Sequence, residues 1–349
     1  MTHSTTYRNN VLQSTMTFST ALNSINTPLV TGSIGAMAGA TLPRLEGILS
    51  NGAIALPVVK LLNILAISLS LFSVSQPGRL DGYQQNDNAD VVEFMSVRRG
   101  GTLVAPKGWA FAIWAPIFLG EILFAATSTM LVKEGTVLAV MLRRMSGGFI
   151  IAQVFQTLWA ATFRKKYVGK GKGLSNWISA FMLTGIATSL NRAHAVYARS
   201  KIVSTLHSVF FFPISLHFGW TTAAALVNIN GNLAVTTSEP FTVASAGWAS
   251  VAAATGVALL VTLQRSAPVY GIVICWALTA CADGMSDRLD ERDKLLSKQG
   301  NFSWLKKQPS DDSVVRRKGF YGAAIQKKLC TFGAIISGAA AVWVTIQPR

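Results

Sequence analysis

The chain has 349 residues, of which half are hydrophobic and only 13% are charged, and its mean hydropathy is +0.40. A soluble domain carries about 25% charged residues, so this composition argues against a soluble enzyme and predicts an all-α, polytopic transmembrane helical bundle. The net charge of +16 does not indicate nucleic-acid binding, because Lys and Arg separate the apolar runs instead of forming one basic patch.

Residues 1–56 differ in composition from the rest of the chain. They are rich in Ser and Thr, their first acidic residue is Glu46, and Arg8 and Arg44 are their only basic residues. Acid-poor, hydroxyl-rich beginnings are typical of transit segments, which favours an organelle membrane, plastid or mitochondrial. The alternative is an N-terminal tail outside the bundle, since the apolar run at 29–42 is too short to cross a bilayer.

The remaining apolar runs predict about eight transmembrane helices, with seven as the main alternative. Most of these runs are long enough to cross about 30 Å of hydrocarbon, but the third, fourth, seventh and eighth are short. The expected spans are 58–76, 108–132, 147–163, 175–191, 205–229, 241–263, 267–283 and 330–347.

Two of the connecting segments are long. Residues 77–106 form a polar loop, and the alternating charges that begin the 284–329 loop predict an exposed helix. The segments after the first, third, fifth and seventh spans carry 20 of the 31 Lys and Arg residues. This bias places them in the cytosol or an organelle interior, with both chain termini on the opposite side.

The second span opens with a proline and two tryptophans five residues apart, Trp109 and Trp114. Trp109 fits an aromatic belt at the membrane interface, whereas Trp114 lies about one turn deeper, on the same helix face as Glu121. An ionisable residue within a span is costly, so Glu121 is a candidate site residue. Its alternative is a neutral, hydrogen-bonded group in the packed interior.

The third and fifth spans carry similar candidates. Gln156 and Trp159 lie in the third span, and His217, Trp220 and Asn228 lie in the fifth. A tryptophan at mid-span either fills a gap between helices or lines a pocket. His217 either bonds a neighbouring hydroxyl or meets a carboxylate or metal of a ligand. The two amides either hold a ligand or bond another helix.

These spacings resemble the translocator protein family, also called tryptophan-rich sensory protein or TspO/MBR. Residues 109–114 resemble its W-V-F-x-x-W pattern, and residues 156–163 resemble N-x-x-W-x-x-x-F, with Gln156 replacing Asn. Residues 213–223 and 268–278 are similar to motifs of a longer branch with extra C-terminal transmembrane helices. The resemblance covers roughly residues 58–285.

The resemblance implies three regions. Residues 1–56 are the N-terminal tail or transit segment. Residues 57–265 form a translocator-like core of five or six helices, and residues 266–349 form additional helices with the charged loop 284–329.

The resemblance also implies that the chain binds a flat hydrophobic ligand, a tetrapyrrole or a sterol, as a sensor, transporter or scavenger. We expect no catalysis, no metal and no firmly bound cofactor beyond a porphyrin- or haem-like ligand. The expected partners are membrane lipid and a second copy of the chain in a homodimer. The expected ligand-binding residues are Trp109, Trp114, Glu121, Gln156, Trp159, His217, Trp220 and Asn228. The alternatives are a structural or partner-binding membrane protein without a small ligand, and a porphyrin-degrading enzyme.

Overall fold

A computed structural model describes residues 26–80, 89–167, 173–199, 205–300 and 314–347. Within these ranges the chain is helical, with ten α-helices and a short 3₁₀ helix at Gly108–Ile113. The α-helices are α1 Pro28–Ser50, α2 Leu56–Ser75, α3 Ala89–Gly101, α4 Trp114–Leu131, α5 Val137–Thr162, α6 Ser175–Arg199, α7 Thr205–Thr236, α8 Pro240–Arg265, α9 Pro268–Gly300 and α10 Ala323–Ile346. The predicted helical bundle is confirmed.

Seven of the helices in the described ranges are long and apolar enough to cross a membrane, namely α2, α4, α5, α7, α8, α9 and α10. The predicted fourth span corresponds to α6, which has 25 residues but lacks a sufficiently apolar stretch. One face of α6 is nevertheless buried between α5 and α7. The bundle therefore contains a helix at each of the eight predicted positions, of which seven have the composition of membrane spans.

Helix α1 was not expected from the sequence. The apolar run at 29–42 continues as a helix through Pro43 to Ser50 and packs against α5 and α6. It begins where Asn26 bonds the Ala161 carbonyl at 3.1 Å, and near its end Glu46 pairs with Arg192. Residue 26 therefore lies at the same end of the bundle as the loop after α5, and not at the opposite end as the distribution of charge predicted.

The loop at 77–106 also differs from the prediction, because it contains α3. This 13-residue helix packs against the end of α7. The predicted exposed helix after 284 is present as the continuation of α9 to Gly300.

Helices α4 and α7 cross closely where Gly120 meets Pro213. A side chain at Gly120 would place its Cβ 2.8 Å from the Pro213 Cβ, so only glycine permits this approach. The contact sets the start of α4, with Trp114 and Glu121, against the part of α7 that carries His217 and Trp220.

Candidate functional site

A cavity lies among α4, α5, α6, α7, α8 and α9, with α3 and the segment after it at one end. It has a volume of about 120 Å³. Its lining includes Arg98, Phe111, Trp114, Trp159, Phe163, Trp220, Asn228 and Gly231. Most of the other lining residues are aliphatic, so the cavity is apolar except near α3.

Aromatic rings form one wall of the cavity. The Trp114 ring is stacked on Trp159 with centroids 6.0 Å apart, and it meets Trp220 edge-on at 6.2 Å. Phe111 and Phe163 extend the wall, with centroids 5.6 Å from Trp220 and Trp159 respectively. Such offset and edge-on arrangements are the favoured geometries of aromatic pairs, which fixes the orientation of the rings.

Two of these indoles carry unused polar groups. Trp159 and Trp220 are buried, and their Nε1–H groups have no acceptor among the described residues. Buried N–H groups are ordinarily hydrogen-bonded, so a donor left free next to a cavity can serve a bound molecule or a water.

A buried polar network lies behind the aromatic wall. His217 Nδ1 is 2.7 Å from Glu121 Oε1, and Gln153 Nε2 donates to the same oxygen at 2.9 Å. Both the Glu121 and His217 side chains are fully buried. The partner of His217 Nδ1 is thus a protein carboxylate, which the sequence did not suggest. The His217 ring centroid lies 5.7 Å from that of Trp114.

Glu121, His217 and Gln156 do not line the cavity. Gln156 is fully buried, and neither of its amide atoms has a partner among the described residues. Gln153, which sequence reasoning missed, is the amide that holds Glu121. Its position one turn before Gln156 was the available signal.

Asn228 lies at the polar end of the cavity. Its Oδ1 accepts from Ser179 Oγ at 3.1 Å and from Arg98 Nη2 at 3.1 Å. Sequence reasoning missed Arg98, because it placed residues 77–106 in a solvated loop. The doublet Arg98–Arg99 shortly before the tryptophan-rich span was the one signal for it.

Trp109 lies outside the cavity. Its Nε1 donates to Asp283 Oδ2 at 3.2 Å, and its ring meets Trp276 edge-on with centroids 4.6 Å apart. With 38% of the residue exposed, this position suits the interfacial alternative. Of the eight predicted residues, the structure therefore brings Trp114, Trp159, Trp220 and Asn228 to the cavity wall.

The fold and the cavity together define a class, a helical membrane protein with an aromatic cavity enclosed by its spans. A family model described as TSPO-like protein matches residues 61–288, and the chain belongs to this family. The match runs from α2 into α9 and includes every residue of the cavity. Searches of curated proteins and of solved structures found no match. Family and spans agree that this is an integral membrane protein.

Proposed function

We propose that the protein binds a flat hydrophobic molecule of the tetrapyrrole or sterol kind in the cavity, as a sensor, transporter or scavenger. The observation that carries the proposal is the aromatic wall, in which Trp114, Trp159 and Trp220 surround an otherwise aliphatic space. Mostly apolar concave sites with a few placed polar groups are typical of small-molecule binding. Stacking on an indole adds about 0.5–1.5 kcal/mol beyond the burial of area.

The cavity volume bears on how such a ligand enters. A cavity of about 150 Å³ holds a molecule the size of benzene, so about 120 Å³ accommodates only part of a macrocycle or sterol. Binding of the whole molecule therefore requires the walls to move.

The direct test is titration of the purified protein, in discs of neutral lipid, with protoporphyrin and separately with a sterol probe, followed by tryptophan fluorescence. The proposal expects saturable quenching and a rise in the melting temperature with one of the two ligand classes. Saturable binding of neither class, with no thermal shift, would instead favour a structural or partner-binding role.

The proposed role is binding without catalysis. The same titration tests this point when the porphyrin absorption spectrum is recorded in the light and in the dark. A constant spectrum at saturation supports binding alone. Protein-dependent loss of the porphyrin bands under illumination would favour a degrading enzyme.

A further inference from the structure

Among the residues that the structure describes, one cation at the cavity wall has no anionic partner. Arg98, on α3, is 5% exposed, and the acceptors of its guanidinium within these residues are all neutral. Its Nη2 donates to the side-chain oxygens of Asn228 at 3.1 Å and Asn232 at 3.0 Å. Its Nε has no acceptor, and among the described residues no Asp or Glu pairs with it.

A buried guanidinium without a counter-ion is unfavourable, because amide dipoles replace only part of its hydration. Burial, with a smaller effect from neighbouring Arg99, lowers the pKa of Arg98 to about 10. The side chain therefore stays positively charged at neutral pH. The site therefore lacks a negative charge that would pair with Arg98. The residues that the structure describes do not supply one.

The surroundings of Arg98 keep the guanidinium at the cavity. A Cβ at Gly231 on α7 would lie 2.8 Å from Arg98 Nε. Because glycine has no side chain, the guanidinium can occupy this space. Asn228 is itself held by Ser179, which fixes the acceptor that orients Nη2. The Arg98 Cζ also lies 5.6 Å from the centre of the Phe163 ring.

Trp220 and the polar end of the cavity are separated along α7. Trp220 and Asn228 are eight residues apart, which is about 12 Å along a helix. A molecule that contacts both residues therefore has a flat apolar body and a polar group at its edge.

We propose that the molecule bound in the cavity carries a carboxylate, which pairs with the Arg98 guanidinium while its flat apolar body lies against the tryptophans. This inference rests on the proposed function and makes its ligand class narrower. The planar fork of arginine matches a carboxylate in two parallel hydrogen bonds, and Nε is one of the donors that such a pair uses.

The test compares ligands that differ only in charge. Protoporphyrin has two free carboxylates, and its dimethyl ester has the same ring without charge. Cholesteryl hemisuccinate and its methyl ester form the corresponding sterol pair. In the wild-type protein, in neutral-lipid discs, we expect the acid of the pair that binds to be roughly tenfold to a hundredfold tighter than its neutral partner.

The matched variants are Arg98→Gln and Arg44→Gln. Each removes one positive charge, but Arg44 lies on an exposed face of α1 outside the cavity. We expect Arg98→Gln to abolish the advantage of the acid over its neutral partner. Arg44→Gln should preserve the ratio, and Arg98→Lys should restore part of it.

Equal affinity of acid and neutral partner in the wild-type protein would overturn the carboxylate inference and leave the proposed function intact. That comparison needs no variant, so it stands even if Arg98→Gln does not fold. An acid preference that persists in folded Arg98→Gln would also overturn it. Binding of none of the four compounds would remove the proposed function itself.

Discussion

At the scale of single residues, Glu121 and His217 form a fully buried pair of ionisable side chains. Burial of such a pair is costly unless its hydrogen bonds are made. Glu121 Oε1 accepts a hydrogen bond from Gln153 Nε2 at 2.9 Å and lies 2.7 Å from His217 Nδ1. Removal of the oxygen would leave two buried polar groups without partners. Each such loss costs about 1–3 kcal/mol.

We therefore predict that Glu121→Leu lowers the melting temperature in detergent clearly more than Glu121→Gln, which keeps an acceptor oxygen at the same position. Glu239→Gln, at an exposed position before α8, is the control and should have little effect. An unchanged melting temperature in Glu121→Leu would show that the network does not stabilise the fold.

The sequence predicted the aromatic residues of the cavity better than its charged residue. The sequence indicated three tryptophans as site candidates, because large rings within spans are uncommon and their spacing is recognisable. They are Trp114, Trp159 and Trp220. The importance of Arg98 depends on α3 folding back over α7, which no local pattern in a polar segment encodes. Only the fold shows that Arg98 has no acidic partner among the described residues.

At the scale of elements, α1 shows why hydropathy alone missed a helix. The segment is interrupted by Pro43 and contains Arg44 and Glu46, so no apolar window of sufficient length exists. Its stability comes instead from packing on α5 and α6, as is usual for helices in folded proteins. Tertiary contacts of this kind are not encoded in the local sequence.

The close approach of α1 and α5 provides a prediction. A Cβ at Gly147 would lie 2.7 Å from the Cγ and 3.1 Å from the Cα of Glu46, so Gly147→Ala must push α1 away. We expect a destabilisation of about 1–3 kcal/mol, measured as a lower melting temperature in detergent.

The matched control is Gly256→Ala in α8, where a new Cβ meets no atom within 4 Å. Alanine favours a helix over glycine by about 1 kcal/mol, so this variant should be neutral or slightly stabilising. Equal stability of the two variants would indicate that α1 does not pack on α5 as described.

At the scale of the whole molecule, contacts between loops agree with the predicted alternation of the spans. The Leu80 N–H donates to the Phe163 carbonyl at 3.0 Å, and Lys318 donates to the Thr237 carbonyl at 2.8 Å. The segments after α2 and α5 are thus adjacent, as are those after α7 and α9. The alternation of spans and the bundle class were predictable, because length and hydropathy determine both.

The positive-inside bias predicts which end faces the cytosol or organelle interior. The variants Ser238→Cys and Lys133→Cys each add one cysteine at an exposed position. Ser238 lies between α7 and α8, and Lys133 lies between α4 and α5 at the opposite end of the bundle. In sealed membranes, a maleimide that cannot cross the bilayer should label Lys133→Cys from outside and Ser238→Cys only after permeabilisation. The unmodified chain, with Cys275, Cys281 and Cys330, gives the background. The reverse pattern would invert the topology.

The measurement that tests the central claim most directly is the ligand titration repeated on three tryptophan variants. Trp114 and Trp220 line the cavity, whereas Trp343, in α10, is 55% exposed and lies outside it. Replacement by Leu keeps each position apolar but removes the stacking contribution. Affinity should therefore fall roughly three- to tenfold in Trp114→Leu and Trp220→Leu, and stay unchanged in Trp343→Leu. Equal loss in all three variants, or no saturable binding in the wild-type protein, would contradict the assignment of this cavity as a ligand site.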